Sequence, residues 1–179
     1  MKTEILEPVT TSAPLSGVTT ACRESAAAPR RAIQLKNILV PLDFSELSLK
    51  SLQYAIPFAR HFGAKITLLH VVQAPAYSVD FSYYPPLRPE QIATIEEQLE
   101  RIRNQKIPAE LPVHIIVREN LVFEGILELA REICADLIIA TTHGRTGLTH
   151  LVMGSTAENI VRRAPCPVLV VRETEHDFV

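Results

Sequence analysis

From Lys36 onward, apolar positions fall into short, nearly continuous runs separated by stretches of helical period. The runs are 37–42 (NILVPL), 65–72 (KITLLHVV), 112–117 (PVHIIV), 136–140 (DLIIA) and 167–171 (PVLVV). Runs this rich in Val, Ile and Leu predict strands buried on both faces, as a parallel sheet requires. Between them, Leu49, Leu52, Ile56 and Ala59 recur at helical spacing, with Gly63 as a stop and Pro57 as an interruption that should kink the helix or remove a hydrogen bond. Ile92, Ile95, Leu99 and Ile102 mark a second helix, and Ile126, Leu129, Ala130 and Ile133 a third. A fourth starts near Gly154-Ser155 and carries Ala157, Ile160, Val161 and Ala164. Strands and helices alternate, which predicts right-handed crossovers and an α/β fold: a doubly wound open sheet of about five parallel strands with helices on both faces.

Residues 1–35 break the pattern. Thr, Ser, Ala and Pro dominate, and Glu4, Glu7, Pro8 and Thr10–Ser12 interrupt any apolar run that a secretory signal would need. Such a segment buries too little apolar surface to offset chain entropy, so 1–35 reads as a mobile tail and 36–179 as the single domain. The Tyr- and Pro-rich stretch 74–87 reads as one long loop. Composition narrows the function classes. The chain of 179 residues is 47% hydrophobic and 21% charged with a net charge of −2, which gives no footprint for nucleic acid or an anionic membrane. No apolar run approaches the roughly 20 residues of a membrane span. Cys22, Cys134 and Cys166 form no Cys-x-x-Cys pair, which points to a reducing, cytoplasmic setting. Cys134 and Cys166 are expected to pack as small hydrophobes.

In an open parallel sheet, ligands sit beyond the carboxyl ends of the strands, where strand order reverses. The residues standing there are Pro41 and Asp43 after the first run, His70, Val71 and Val72 after the second, and Thr141–Gly144 after the fourth. Three of the chain's six glycines, Gly144, Gly147 and Gly154, cluster between the fourth strand and the last helix. A glycine-lined turn into a helix start lets backbone N–H groups approach an anion, although the same glycines can simply make turns. Arg145, Arg162, Arg163 and Arg172 oppose only Glu158 in 140–172, as a phosphate site would have it. Ser155-x-x-Glu158 also reads as a capping box, and Asp43 as either a helix cap or an acceptor for ribose hydroxyls. His143 has no partners at metal-ligand spacing, and His143 and His150 are not an i, i+4 pair. P-loop, GxGxxG and GxSxG motifs are absent.

Taken together, NILVPLD (37–43), TLLHVV (67–72), DLIIATTHGRT (136–146) and GSTAENIVRRAPCPVLVV (154–171) resemble the universal stress protein family over 36–172. The resemblance implies a five-stranded parallel α/β fold of the adenine-nucleotide alpha-hydrolase kind, and a homodimer formed through the last strand. Members that bind ATP carry glycine, two residues, glycine, nine residues, then glycine and Ser or Thr. Gly144, Gly154 and Ser155 match that pattern, while Thr141 stands where the first glycine would be. By resemblance, Asp43 contacts ribose, Pro41 and Val71 flank adenine, and Thr141, Gly144, Gly154, Ser155 and Thr156 line the phosphates of ATP or AMP, with or without Mg²⁺. If the turn at Thr141 needs a left-handed backbone, a β-branched residue must bend it differently. The expected role is a nucleotide-responsive stress regulator with at most slow ATP hydrolysis, since no residue stands as a general base. The alternative is a nucleotide-free dimeric scaffold of the same fold. An ATP pyrophosphatase reading lacks its phosphate loop, because Pro41–Ser45 holds no glycine.

Overall fold

A computed structural model describes residues 33–73, 87–142 and 154–172. The elements are β1 (Asn37–Pro41), α1 (Glu46–Phe62), β2 (Lys65–Gln73), α2 (Pro89–Lys106), β3 (Val113–Asn120), α3 (Val122–Glu132), β4 (Leu137–Thr141), α4 (Ser155–Arg163) and β5 (Val168–Val171). The expected tail at 1–35 falls outside the described residues except for its last three positions. The expected loop lies outside them over 74–86, as do His143 and Gly144.

All strand pairs are parallel, in the order β3-β2-β1-β4-β5. The chain winds outward from β1 through β2 to β3, then returns to the other side of β1 for β4 and β5. That is the doubly wound sheet anticipated from the alternation, with its reversal between β1 and β4.

The strand runs are continuous because each face is covered. Ile38, Val40, Ile66, Leu68 and Ile139 pack with Leu52, Ala55 and Ala59 of α1 and Leu99 of α2. Leu39, Leu69, Ile138 and Ala140 pack with Ile126, Leu129 and Ala130 of α3 and Ile160 of α4. Removing a whole side chain from either layer, as in Leu39→Ala, belongs to a class of changes costing about 2–5 kcal/mol.

Local chemistry explains the helix ends. The Ser45 side chain accepts from Ser48 N–H at 3.1 Å to start α1, and Gly63 ends it at φ 65°, a left-handed conformation that suits glycine. The helix runs unbroken past Pro57. Cys166 packs against the α3/α4 layer, and burial pushes its thiol pKa up. Cys134 does not pack as expected. It is exposed at φ 48°, in the turn between α3 and β4. Leaving the helix there turns its short side chain to solvent.

At the amino end of the sheet β1 and β4 are clamped. Asp136 Oδ2 accepts from the N–H groups of Lys36 (2.7 Å) and Asn37 (2.9 Å), and Asp136 N–H donates to Asn37 O at 2.9 Å.

Candidate functional site at the strand-order reversal

The carboxyl ends of β1 and β4 behave differently from that clamp. Odd-numbered residues of β1 aim their peptide groups at β4, as Asn37 O does in accepting from Asp136. Even-numbered ones aim at β2, as in Leu42 N–H to Leu69 O at 2.8 Å. Pro41 is odd-numbered and has no N–H, so it cannot extend the ladder toward β4. The β1–β2 register accordingly reaches Pro41↔Leu69, while the β1–β4 register comprises Ile38↔Leu137 and Leu39↔Ile138. A proline at the end of a central strand thus ends pairing at the point where the fold class places ligands.

Asp43 follows at once. Its Oδ1 accepts from Ser45 N–H at 3.0 Å and from Ser45 Oγ–H at 2.6 Å. Ser45, not Asp43, is the cap of α1, and Asp43 buttresses that cap. The intervening Phe44 has φ 67°, which reverses the chain between the strand and the helix. Nothing in the sequence signals this, because Phe is a poor occupant of the left-handed region.

Val71 lies one alternation beyond Leu69, so its peptide groups turn to the β1 side past the last β1–β2 register pair. Its side chain is spent elsewhere: a Cβ on Gly125 of α3 would come within 3.1–3.2 Å of the Val71 methyl groups. Of Val71, the backbone is therefore what faces the site.

Across the reversal, Thr141 is the last residue of β4, in register with Val171, and its backbone is not left-handed. The strain anticipated at this position does not arise, because the residue is still part of the strand. Thr142 N–H donates to Val171 O at 3.1 Å, and Thr142 O accepts from Gly154 N–H at 3.0 Å. That second bond fastens the start of α4 to the end of β4. A Cβ on Gly154 would meet Thr142 O at 3.0 Å, a tight contact that any larger residue could make only by shifting the carbonyl or the helix start by a few tenths of an ångström.

Gly154 is the N-cap residue and Ser155 the first residue of α4. The expected capping box is therefore overturned. Ser155 sits one position too far along to cap, and Glu158 instead pairs with Arg162 at 2.9 Å. Ser155 is exposed and Thr156 half-buried, and no side chain caps this helix among the described residues. The first-turn N–H groups of α4 have no partners within the helix and carry its positive dipole end.

Of the anticipated arginine cluster, Arg172 follows the carboxyl end of β5, Arg145 lies outside the described residues, and the other two stand away from this end. Arg162 and Arg163 close the far end of α4, about 10 Å along its axis. Arg163 lies over the Phe123 ring at 5.4 Å. Any anion at the site would meet peptide dipoles before it met these side chains.

Pro41, Asp43, Val71, Thr141, Gly154, Ser155 and Thr156 thus all stand at the carboxyl end of the sheet or at the helix start tied to it. Among the described residues, no group of three or more His, Cys, Asp or Glu could hold a metal ion, and no helix is long and apolar enough to cross a membrane. A cavity of about 490 Å³ lies elsewhere, against Leu49, Lys50, Gln53 and Ile56 of α1 and Lys106 of α2.

The chain and its fold are similar to those of known proteins. Universal stress protein MJ0531 of Methanocaldococcus jannaschii is 33% identical over 146 residues, covering 79% of this chain and 85% of that protein. The structure of the hypothetical protein MJ0577 superposes with a TM-score of 0.62 at 25% identity, covering 80% of this chain and all of that one. Two solved relatives share the fold at 22% identity. One is a universal stress protein in complex with cAMP (TM-score 0.56, covering 79% of this chain and 100% of that one). The other is the Archaeoglobus fulgidus universal stress protein in complex with dAMP (TM-score 0.53, covering 77% and 98%). Residues 34–172 match the universal stress protein family, to which this chain belongs.

Proposed function

We propose that this chain binds an adenine nucleotide, ATP or AMP, at the β1/β4 reversal and acts in the cytoplasm as a nucleotide-responsive stress regulator. The observation that carries the reading is the 3.0 Å bond from Gly154 N–H to Thr142 O, at a position where a Cβ would crowd that same carbonyl at 3.0 Å. It fastens a helix start that no described side chain caps to the sheet end that also bears Asp43. The amides of Ser155, Thr156 and Ala157 would donate to phosphate oxygens, and the Ser155 and Thr156 hydroxyls would add to them. Gly144 would complete the turn around the phosphates. Asp43 Oδ1 is engaged by Ser45, which orients the carboxylate as an acceptor for ribose hydroxyls. The Val71 peptide edge and the Pro41 ring would flank adenine, one by hydrogen bonding and one by contact. Any Mg²⁺ accompanying ATP would ride on the phosphate oxygens. The relatives solved with cAMP and dAMP support an adenine nucleotide as the ligand class.

In this reading residues 36–179 form the functional domain, and two copies join through β5, an edge strand of the sheet. Calorimetric titration with AMP and with Mg-ATP tests the nucleotide site. Wild-type protein should bind saturably. Gly154→Val should weaken binding by more than about tenfold, the equivalent of 1.4 kcal/mol, by pushing α4 from Thr142. Asp43→Ala should weaken both ligands alike, since both carry the same ribose. Unaltered affinity in both folded variants would refute the site.

A further inference from the structure

We infer that His70 is a positioning residue that holds Asp43 in the nucleotide site by gripping the residues on either side of it. This inference rests on the nucleotide reading above. The His70 Nδ1 lies 2.7 Å from Leu42 O, and a carbonyl oxygen can only accept, so Nδ1 carries the proton and donates. The same imidazole stacks on the Phe44 ring, with centroids 4.4 Å apart and planes inclined by 30°. Leu42 and Phe44 are the two neighbours of Asp43 in the chain.

The grip matters because the turn it holds is not one the local sequence prefers. Phe44 sits at φ 67°, which a bulky L-residue adopts only when its surroundings impose it. The stack supplies one such constraint, and the bond to Leu42 O fixes the residue entering the turn. With both in place, Ser45 N–H and Oγ–H converge on Asp43 Oδ1 and set the direction of the carboxylate. His70 also immediately precedes Val71, whose peptide groups turn to the same space. One side chain on β2 therefore ties the proposed adenine edge to the proposed ribose acceptor just after β1.

The test separates positioning from general packing. His70→Phe keeps a ring against Phe44 but loses the donor, and His70→Asn returns an N–H near the Nδ1 position. Two quantities are measured: the Kd for AMP, and the hydrogen-exchange rate of the Ser45 amide, which donates to Asp43. His70→Phe should weaken AMP binding about five- to tenfold and speed Ser45 exchange by a similar factor, with most of both recovered in His70→Asn. In an Asp43→Ala background the His70→Phe change should alter AMP affinity by less than about twofold, because the group it positions is gone. An equal loss in both backgrounds, or Ser45 exchange unchanged by His70→Phe, would overturn the inference. If wild-type protein fails to bind AMP, the nucleotide reading falls. The exchange arm then decides whether His70 holds the turn: faster exchange supports the grip and unchanged exchange overturns it.

Discussion

At the scale of single residues, the site depends on what particular groups lack. Pro41 lacks an N–H, so the ladder toward β4 stops; Gly154 lacks a Cβ, so a helix start can rest at 3.0 Å on a strand carbonyl. Neither effect depends on charge, and two of the arginines that suggested an electrostatic site, Arg162 and Arg163, lie at the other end of α4. Thr141 makes the same point in reverse. As a regular strand residue in register with Val171, it keeps a conformation that β-branched side chains favour. Thr141→Gly should therefore leave AMP affinity within about twofold of wild type while weakening the end of β4 by roughly 0.5–1 kcal/mol, read by urea unfolding. A large gain in affinity would mean that the threonine obstructs the turn after all.

At the scale of elements, the continuous apolar runs and the helical spacing were enough to identify five strands and four helices, because both faces of the sheet are covered and each helix has one buried stripe. Ends were less legible. Ser155-x-x-Glu158 has the spacing of a capping box, and only the three-dimensional fact that Gly154 already fills the cap position excludes it. Likewise Phe44 and Cys134 adopt positive φ for reasons of chain path, which residue type does not encode. Of the candidate site, Asp43 and Gly154 were legible through position and motif. The grip of His70 was not, because it joins residues 28 apart in sequence. Pro57 was legible as an irregularity, and α1 tolerates it without breaking. Lacking an N–H, it leaves the Gln53 carbonyl without its usual helical donor. Pro57→Ala, at an exposed position, should stabilise the protein by about 1–3 kcal/mol in urea unfolding. A loss of stability would show that the proline's restriction of the unfolded chain outweighs the missing bond.

At the scale of the whole molecule, β1 and β4 are fastened at one end and unladdered at the other. Asp136 and Asn37 hold the two strands together at their amino ends, while their pairing runs no further than Leu39↔Ile138, short of Pro41. The reversal of strand order and the start of α4, which no described side chain caps, meet at that end. The proposed dimer concerns a different edge. Among the described residues β5 pairs with β4 alone, and its Val168, Leu169 and Val170 are half-buried in a single copy. Sedimentation at micromolar concentration should give a dimer for wild-type protein and a monomer for Val170→Lys. A monomer in both would remove β5 from the account.

The most direct test of the nucleotide site is amide NMR of labelled protein titrated with AMP. The account predicts saturable shifts confined to the site, with Gly154, Ser155, Thr156, Asp43 and Val71 moving together, and no response at Lys50, Gln53 or Lys106 along the α1/α2 cavity. Shifts centred on that cavity, or none at saturating AMP, would contradict it.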